Sequence, residues 1–278
     1  MRGLLALITA CAAVTALVGC GSSGGETVST PATVNAIPPE AGHVHGLARA
    51  SSGTLLVGTH AGLYASGADG GFSRVGGDDD YMGLAALPAG GLLSSGHPGP
   101  GSDEPNPLGL RLSEDGGATW TRIQAVPRDD YHVIAVGGGR VYAVGADGVV
   151  RAGTAPESLR AVGQAPADLI GIAVNPQRAS SLVASTNGGL RRSADGGRTW
   201  VPAGDPVGLV SWASREALYL VDRTGRVSVS RDGGTSWATR GTIGAPPAAL
   251  LASSPSDLAA ADHDGRIRTS SDGGRTWS

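Results

Sequence analysis

A repeated octapeptide, Ser-x-Asp-Gly-Gly-x-Thr-Trp, constrains the fold of this 278-residue chain more than any other feature. Four copies begin at Ser113, Ser193, Ser230 and Ser270, the third with Thr and Ser exchanged, and Asp69-Gly70-Gly71 is a degenerate copy. The aspartates at 69, 115, 195, 232 and 272 are 46, 80, 37 and 40 residues apart. A period near 40 residues is typical of β-propeller blades, and the step of 80 conceals a sixth unit near Ala155 that has lost its box.

Short apolar runs bounded by turn residues lie between the boxes, as in 171–174, 181–184 and 189–192. With 46 glycines and very few long apolar helical runs, this pattern favours many short strands joined by tight turns. We therefore predict an all-β fold, a six-bladed β-propeller of four-stranded blades, over residues 42–278. The glycine pairs supply positive φ and the box aspartates hydrogen-bond their own turns, so we assign a structural role to Asp115, Asp195, Asp232 and Asp272.

The first 41 residues have a different composition. Arg2 precedes an uncharged apolar stretch that ends at Cys20, and Leu17-Val18-Gly19-Cys20 resembles a bacterial lipobox. We predict a lipoprotein signal peptide at 1–19, lipidation of Cys20 at the outer face of the cell membrane, and a flexible tether at 20–41 that includes a possible closing strand. A cleaved soluble export signal or an uncleaved anchor is the alternative. Cys11 fits a lipobox only loosely, because cleavage there would leave too short an apolar stretch.

The boxes resemble the Asp-box, or BNR, repeats of sialidases, sortilin-type receptors and photosystem assembly factors. Across most of the chain after the tether, the sequence also resembles a family of bacterial exported proteins filed as sialidase-like glycosyl hydrolases. The segments that carry this second resemblance are HVHGL at 43, GTHAGLY at 58, DYMGL at 80, SGHP at 95 and DYHVIAV at 130. The resemblance implies a propeller and, for its sialidase members, a Phe/Tyr-Arg-Ile-Pro signature that this chain lacks.

The first three units share one register. Three pairs of residues are each 17 apart, from the start of a unit's first strand to the turn after its second: His43 and His60, Asp80 and His97, and Asp130 and Asp147. In an antiparallel blade, that start and that turn lie at the same end of the sheet, opposite the box hairpin. Strand alternation places a further set on the same side, namely His45, Met82 and His132. Five of the six histidines are thus predicted on one rim of the central channel.

Imidazole and thioether groups suit copper, whereas imidazole with the carboxylates of Asp80 and Asp130 also suits zinc. The sequence therefore predicts a transition-metal site, or a small anionic-ligand site, at this rim. Its residues are His43, His45, His60, Met82, His97 and His132. For any single histidine, a structural hydrogen bond to a neighbouring loop is the alternative.

We favour a membrane-anchored binding protein, with a small ligand, a glycan or an exported protein as its partner. The alternative function is a sialidase-like glycoside hydrolase that uses paired carboxylates, with Asp80, Asp130 and Glu104 as weak catalytic candidates. The chain has 21 basic residues, all arginine, and 24 acidic residues. This balance gives no broad positively charged surface for nucleic acid, so we expect no nucleic-acid partner.

Overall fold

The computed structural model describes residues 35–278, which form 23 strands in six antiparallel sheets. The first blade contains β1 (Val44–Arg49), β2 (Leu55–Thr59), β3 (Gly62–Ser66) and β4 (Phe72–Val75). The second contains β5 (Asp80–Ala86), β6 (Leu92–His97), β7 (Arg111–Ser113) and β8 (Thr121–Arg122). The third contains β9 (Val133–Gly137), β10 (Arg140–Val144), β11 (Val149–Gly153) and β12 (Arg160–Gln164).

The second half of the chain repeats this arrangement. The fourth blade contains β13 (Leu169–Val174), β14 (Leu182–Thr186), β15 (Gly189–Ser193) and β16 (Val201–Gly204). The fifth contains β17 (Gly208–Ser214), β18 (Ala217–Asp222), β19 (Arg226–Ser230) and β20 (Ala238–Thr242). The sixth contains β21 (Pro247–Ala252), β22 (Leu258–Asp262) and β23 (Ile267–Ser270).

The first strands of the blades form a closed ring. Strands β1, β5, β9, β13, β17 and β21 contact each other in that cyclic order, and β21 contacts β1 again. All six line a central channel with a cavity of about 470 Å³. The prediction of a six-bladed β-propeller is therefore confirmed.

Apolar side chains fill six separate clusters, one between each pair of neighbouring blades. Between the first two blades, for example, Leu56 and Leu63 pack against Leu84 and Leu92, all of them 8% exposed or less. Burial of a leucine side chain contributes roughly 1.5–3 kcal/mol. The blades are therefore held together by packing between their faces, and the channel is left free of a core.

The sixth blade has three strands of its own. The outer edge of β23 pairs instead with two short segments from outside the blade. Ala36 forms an antiparallel bridge with Arg266, and the amide of Ile37 donates to the carbonyl of Gly265 at 3.0 Å. Further along, Ser278 and Thr269 exchange two backbone hydrogen bonds of 3.0 Å. These contacts cover an edge that would otherwise present unpaired backbone groups.

The four intact boxes share one hydrogen-bond pattern. In the box of the fourth blade, Asp195 accepts from the Ser193 hydroxyl at 2.8 Å, the Thr199 amide at 3.0 Å and the Thr199 hydroxyl at 2.6 Å. Ser193 Oγ in turn accepts from the Gly197 amide at 2.8 Å, where φ is +87°. The same contacts recur around Asp115, Asp232 and Asp272. In the second, fourth and fifth blades the box closes the hairpin between the third and fourth strands, and in the sixth it connects β23 to Ser278.

The third blade departs from the pattern. A 3-10 turn, Pro156–Ser158, replaces the box between β11 and β12. Asp147 lies in the turn that follows β10. The Asp147 carboxylate binds Arg151 within the same hairpin, at 2.6 Å.

Candidate functional site

One end of the channel, which we call the channel mouth, is formed by the starts of the six first strands and the turns after the six second strands. The box hairpins lie at the other end, because the third strand of each blade runs away from the mouth. In the first three blades the mouth brings together histidine and aspartate side chains. They form two groups, each with three possible metal-ligand atoms within 4.8 Å of one another.

The first triad consists of His45, His60 and Asp80. His60 Nδ1 lies 2.9 Å from Asp80 Oδ2, and His45 Nε2 lies 3.3 Å from Asp80 Oδ1. The two imidazoles come from the first blade and the carboxylate from the second. His43 stands beside them, with its ring centroid 5.8 Å from that of His45 and 5.6 Å from that of His60. Three imidazoles therefore surround one carboxylate, whose side chain is only 11% exposed.

The second triad consists of His97, Asp130 and His132. Both His97 Nε2 and His132 Nε2 face Asp130 Oδ2, at 3.2 and 2.5 Å. His97 Nδ1 lies 2.7 Å from Asn106 Oδ1, on the loop that follows β6. An amide oxygen only accepts, so Nδ1 carries the hydrogen of a neutral His97 and Nε2 keeps its lone pair. That lone pair faces a carboxylate oxygen, so two electron-pair donors point at each other in an arrangement that suits a bound cation.

Local backbone irregularities aim these side chains. The pairing of β1 with β2 shifts at His45, and the pairing of β5 with β6 shifts at Met82. A bulged residue is turned away from the regular alternation of its strand. His45, Met82 and His132 all line the channel, as expected from their register. Met82 thus lies at the corresponding position of the second blade, which contributes Asp80 to the first triad and His97 to the second.

Behind the first triad, a buried arginine braces the second blade. Arg111 Nη1 binds Asp79 Oδ2 at 2.6 Å, and its guanidinium lies 5.6 Å from the ring centroid of Tyr81. Asp79 also accepts from the Gly99 amide at 2.9 Å. Asp79 and Tyr81 flank Asp80 in the sequence, so these contacts fix the backbone that presents the Asp80 carboxylate.

The second triad has a similar brace in the third blade. Arg151 Nη2 binds Asp147 Oδ2 at 2.6 Å, its Nη1 lies 3.9 Å from Asp129 Oδ2, and its guanidinium lies 5.6 Å from the Tyr131 ring. Burial raises the pKa of Tyr131 to about 12, so this phenol stays neutral beside the arginine. Asp-Asp-Tyr therefore occurs at 79–81 and again at 129–131, with the central aspartate at the channel mouth both times.

The imidazoles and the carboxylates perturb each other. Burial tends to raise the pKa of Asp80, but contact with His45 and the charges of His45 and His60 lower it below its ordinary value overall. The contact with Asp130 raises the pKa of His132, because the carboxylate stabilises the imidazolium. The mouth of the first three blades is thus a place where positive charge is stabilised next to carboxylate.

Several buried polar atoms in both triads have no hydrogen-bond partner among residues 35–278. They are His45 Nε2, Asp80 Oδ1 and Asp130 Oδ1. His45 Nε2 and Asp80 Oδ1 approach each other without the geometry of a hydrogen bond. An unpaired buried polar group costs about 1–3 kcal/mol. A nitrogen and an oxygen that face each other without a hydrogen-bond partner are suited to a cation, because one cation would bind both atoms.

The mouth of the last three blades has the same backbone positions and different side chains. The counterparts of Asp80 there are Asp168, Val207 and Pro246, and those of His60 are Asn187, Arg223 and His263. Arg223 donates to the Asn187 side chain at 2.8 Å. These turns border a cavity of about 370 Å³ whose other lining includes Ile170, Leu209, Val221 and Pro247. No group of three metal-ligand side chains occurs in this half of the described chain.

The structure thus brings five of the predicted residues, His45, His60, His97, His132 and Met82, to the mouth of the first three blades, with His43 adjacent. Asp80 and Asp130 lie among the histidines as partners of their imidazoles. Glu104 is exposed on the loop after β6 and belongs to neither triad. Cys20 lies outside the described residues, as do the signal peptide and most of the tether.

Sequence reasoning missed three supporting residues. Asn106 orients His97, and Arg111 and Arg151 brace the strands that carry the aspartates. The duplicated Asp-Asp-Tyr was the available signal for the aspartates at 79 and 129, because both copies lie at or just before the start of a blade's first strand. Asn106 gave no such signal, since its contact depends on the path of a long loop.

The fold and the site together define a class: a six-bladed β-propeller with histidine and aspartate triads at one end of its channel. No protein-family model matches the chain, and no curated protein matches it by sequence. Solved structures do match. A structural-genomics protein of unknown function from Bacteroides thetaiotaomicron has a TM-score of 0.63 at 11% identity, over 83% of this chain and 69% of that one.

Two other kinds of protein share the fold. A GH74 enzyme of Niastella koreensis matches with a TM-score of 0.52 at 18% identity, and an ancestral GH74 enzyme with 0.54 at 14%. These matches cover 82% and 86% of this chain, which spans 37% of each enzyme. YCF48 bound to D1 peptide matches with 0.54 at 16%, over 86% of this chain and 82% of that one. At these identities the likeness shows the propeller fold alone. Among residues 35–278, no helix is long and apolar enough to cross a membrane.

Proposed function

We propose that this protein binds a divalent transition-metal ion at the channel mouth, through the first triad. The observation that carries the proposal is the convergence of His45 Nε2, His60 Nδ1 and the Asp80 carboxylate, with ligand atoms within 4.8 Å of one another. Two imidazoles and one carboxylate form a donor set that zinc and copper both accept. The unpartnered His45 Nε2 and Asp80 Oδ1 would acquire a partner in the ion.

The number of protein ligands bears on what the ion does. Sites that only stabilise a fold with zinc are usually closed by four protein ligands, whereas three ligands leave a position for water or another molecule. His60 is 61% exposed, so the first triad is open to the solvent at the mouth. We therefore propose a binding protein whose ion captures a small ligand or an exposed group of an exported protein. The peptide bound by YCF48 supports the idea of a protein partner on such a propeller.

Metal titration tests the proposal with a matched pair of variants. The protein is the full chain with Cys11→Ser and Cys20→Ser, which removes both thiols as competing ligands. We expect zinc and copper(II) binding by calorimetry, and loss of the first-triad binding in His60→Ala. His263→Ala is the control, because His263 occupies the same turn in the sixth blade and belongs to neither triad. Binding that is absent, or that falls equally in both variants, would rule out the assignment.

We further propose that the protein is exported and anchored by a lipid on Cys20. The sequence around Cys20 supports this proposal, and Cys11 provides the matched control. Metabolic labelling with a palmitate analogue should modify the Cys11→Ser protein and leave the Cys20→Ser protein unlabelled. Equal labelling of both variants would contradict anchoring at Cys20.

A glycoside hydrolase is the second candidate, since Asp80 and Asp130 are carboxylates on adjacent blades at an open mouth. The lowered pKa of Asp80 counts against its use as a general acid, which needs a raised pKa. A panel of chromogenic glycosides, tested with the parent chain and with Asp80→Asn and Asp130→Asn, separates the two functions. Turnover that both variants abolish while zinc binding is absent would favour the hydrolase.

A further inference from the structure

The second triad repeats the design of the first in a neighbouring blade. Each triad contains the central aspartate of an Asp-Asp-Tyr sequence. This aspartate contacts a histidine from the turn of the preceding blade. His60 of the first blade meets Asp80 of the second, and His97 of the second blade meets Asp130 of the third. The third ligand differs in origin, because His45 belongs to the same blade as His60, whereas His132 belongs to the same blade as Asp130.

The two triads do not share a side chain. Asp80 and His97 lie opposite each other in the second blade. Asp80 nevertheless belongs to the first triad, with residues of the first blade, and His97 to the second triad, with residues of the third blade. One ion that used both triads would have to reach two carboxylates on different blades, whereas each triad already gathers three donor atoms within 4.8 Å. The arrangement therefore suits two separate ions better than one shared ion.

Independent features of the second triad also indicate a cation. Asn106 holds His97 Nδ1, so the lone pair of His97 Nε2 faces Asp130 Oδ2 at 3.2 Å. Asp130 Oδ1 is buried without a hydrogen-bond partner among the described residues. Orientation of a histidine by a hydrogen bond to its second nitrogen is the usual arrangement around bound metal ions.

We infer that the channel mouth holds a second divalent transition-metal ion, bound by His97, Asp130 and His132. This inference rests on the proposed function only for the identity of the metal, because the second triad has its own ligands. The two sites are not identical. The first has a third imidazole, His43, beside it, and the second has an asparagine that orients one ligand.

The test counts ions in five forms of the full chain with Cys11→Ser and Cys20→Ser. Each protein is stripped with a chelator, loaded with zinc, dialysed and analysed by elemental mass spectrometry and calorimetry. We expect two zinc ions in the parent protein, one in His60→Ala, one in His97→Ala and none in the variant with both changes. His263→Ala should keep two. Both substituted triad histidines are partly exposed, at 61% and 37%, so their removal leaves the packed core intact.

The outcomes separate this inference from the proposed function. One ion in the parent, lost in His60→Ala and kept in His97→Ala, would overturn the second site and leave the first in place. One ion lost in both single variants would show a shared site and would also overturn the inference. No ion in the parent would overturn both. Cobalt(II) absorption spectra provide a second measurement. The parent spectrum should be the sum of two components, of which His60→Ala removes one and His97→Ala the other.

Discussion

Blades one to three and blades four to six present the same backbone positions at the channel mouth and fill them with different chemistry. The positions held by Asp80 and His60 in the first half correspond to Asp168 and His263 in the second. A histidine and an aspartate therefore occur in both halves. Only in the first half do they meet other ligands, because there the aspartate of one blade lies next to the histidine turn of the preceding blade.

The comparison shows that the fold supplies positions and the local sequence decides whether they become a site. Bulges at the first strand occur in both halves, at His45 and Met82 and again at Ile170 and Ala248. The same bulge thus presents a ligand in one half and an apolar side chain in the other. The arginines of the first half pair with aspartates next to Asp80 and Asp130, whereas Arg268 of the sixth blade pairs with Asp262 in its own turn.

The largest expected effect comes from removing one of these arginines. Arg111 is 3% exposed and binds Asp79, so Arg111→Ala leaves a carboxylate without its partner behind the first triad. Loss of one member of a buried ion pair costs about 3–5 kcal/mol. We expect Arg111→Ala to lower the free energy of unfolding by this amount in urea denaturation.

Arg191 gives the control from the other half. Arg191 of β15 lies opposite Ala184 of β14, just as Arg111 of β7 lies opposite Ser94 of β6. Arg191 forms no ion pair with any acid in the described part of the chain. Arg191→Ala should therefore change stability by less than about 1 kcal/mol. Equal losses in the two variants would show that the halves do not differ in this respect.

The second prediction concerns the ligands themselves. Asp130→Asn keeps the shape of the side chain and removes its charge, so the second triad loses its only carboxylate. We expect zinc affinity at that site to fall by at least about 100-fold, or about 2.8 kcal/mol. Asp168→Asn makes the same change at the corresponding position of the fourth blade. Competition with a zinc chelator should detect the first change and find the second without effect.

The repeat and the register were enough to predict the fold and the convergence of the histidines, since both depend on strand alternation and on a regular period. The ring of six blades follows from the boxes, and the bulge residues His45 and Met82 fell on the predicted side. The ion pairs around Arg111 and Arg151 could not be predicted in the same way. Asp79 and Arg111 are 32 positions apart in the chain, and Asp129 and Arg151 are also distant in sequence.

A smaller effect is expected from Asn106, which touches the second triad only through His97. Asn106→Leu removes the acceptor for His97 Nδ1, and loss of such an orienting contact typically costs 10–100-fold in metal affinity. Asn106→Asp keeps an acceptor and should retain most of the affinity. The first triad has no contact with Asn106, so its affinity should stay constant in both variants. If the two substitutions weaken the second site equally, the orienting role of Asn106 is wrong.

The smallest effect is expected at the box end of the propeller, where the second and fourth blades carry the same intact box. Hydrogen bonds from Thr119 and Ser113 lower the pKa of Asp115 to about 2, and the equivalent contacts from Thr199 and Ser193 lower that of Asp195. A carboxylate whose pKa is depressed by folding contributes stability above its unfolded pKa of about 3.9, and that stability is lost as the pH falls towards the folded value. Urea midpoints should therefore decline between about pH 4 and pH 2, and Asp115→Asn and Asp195→Asn should each make that decline slightly shallower. Because the boxes of Asp115 and Asp195 share the same hydrogen bonds and lie in different halves, the two variants should behave alike, in contrast to the substitutions at the mouth. A clear difference between them would extend the asymmetry of the two halves to the box end.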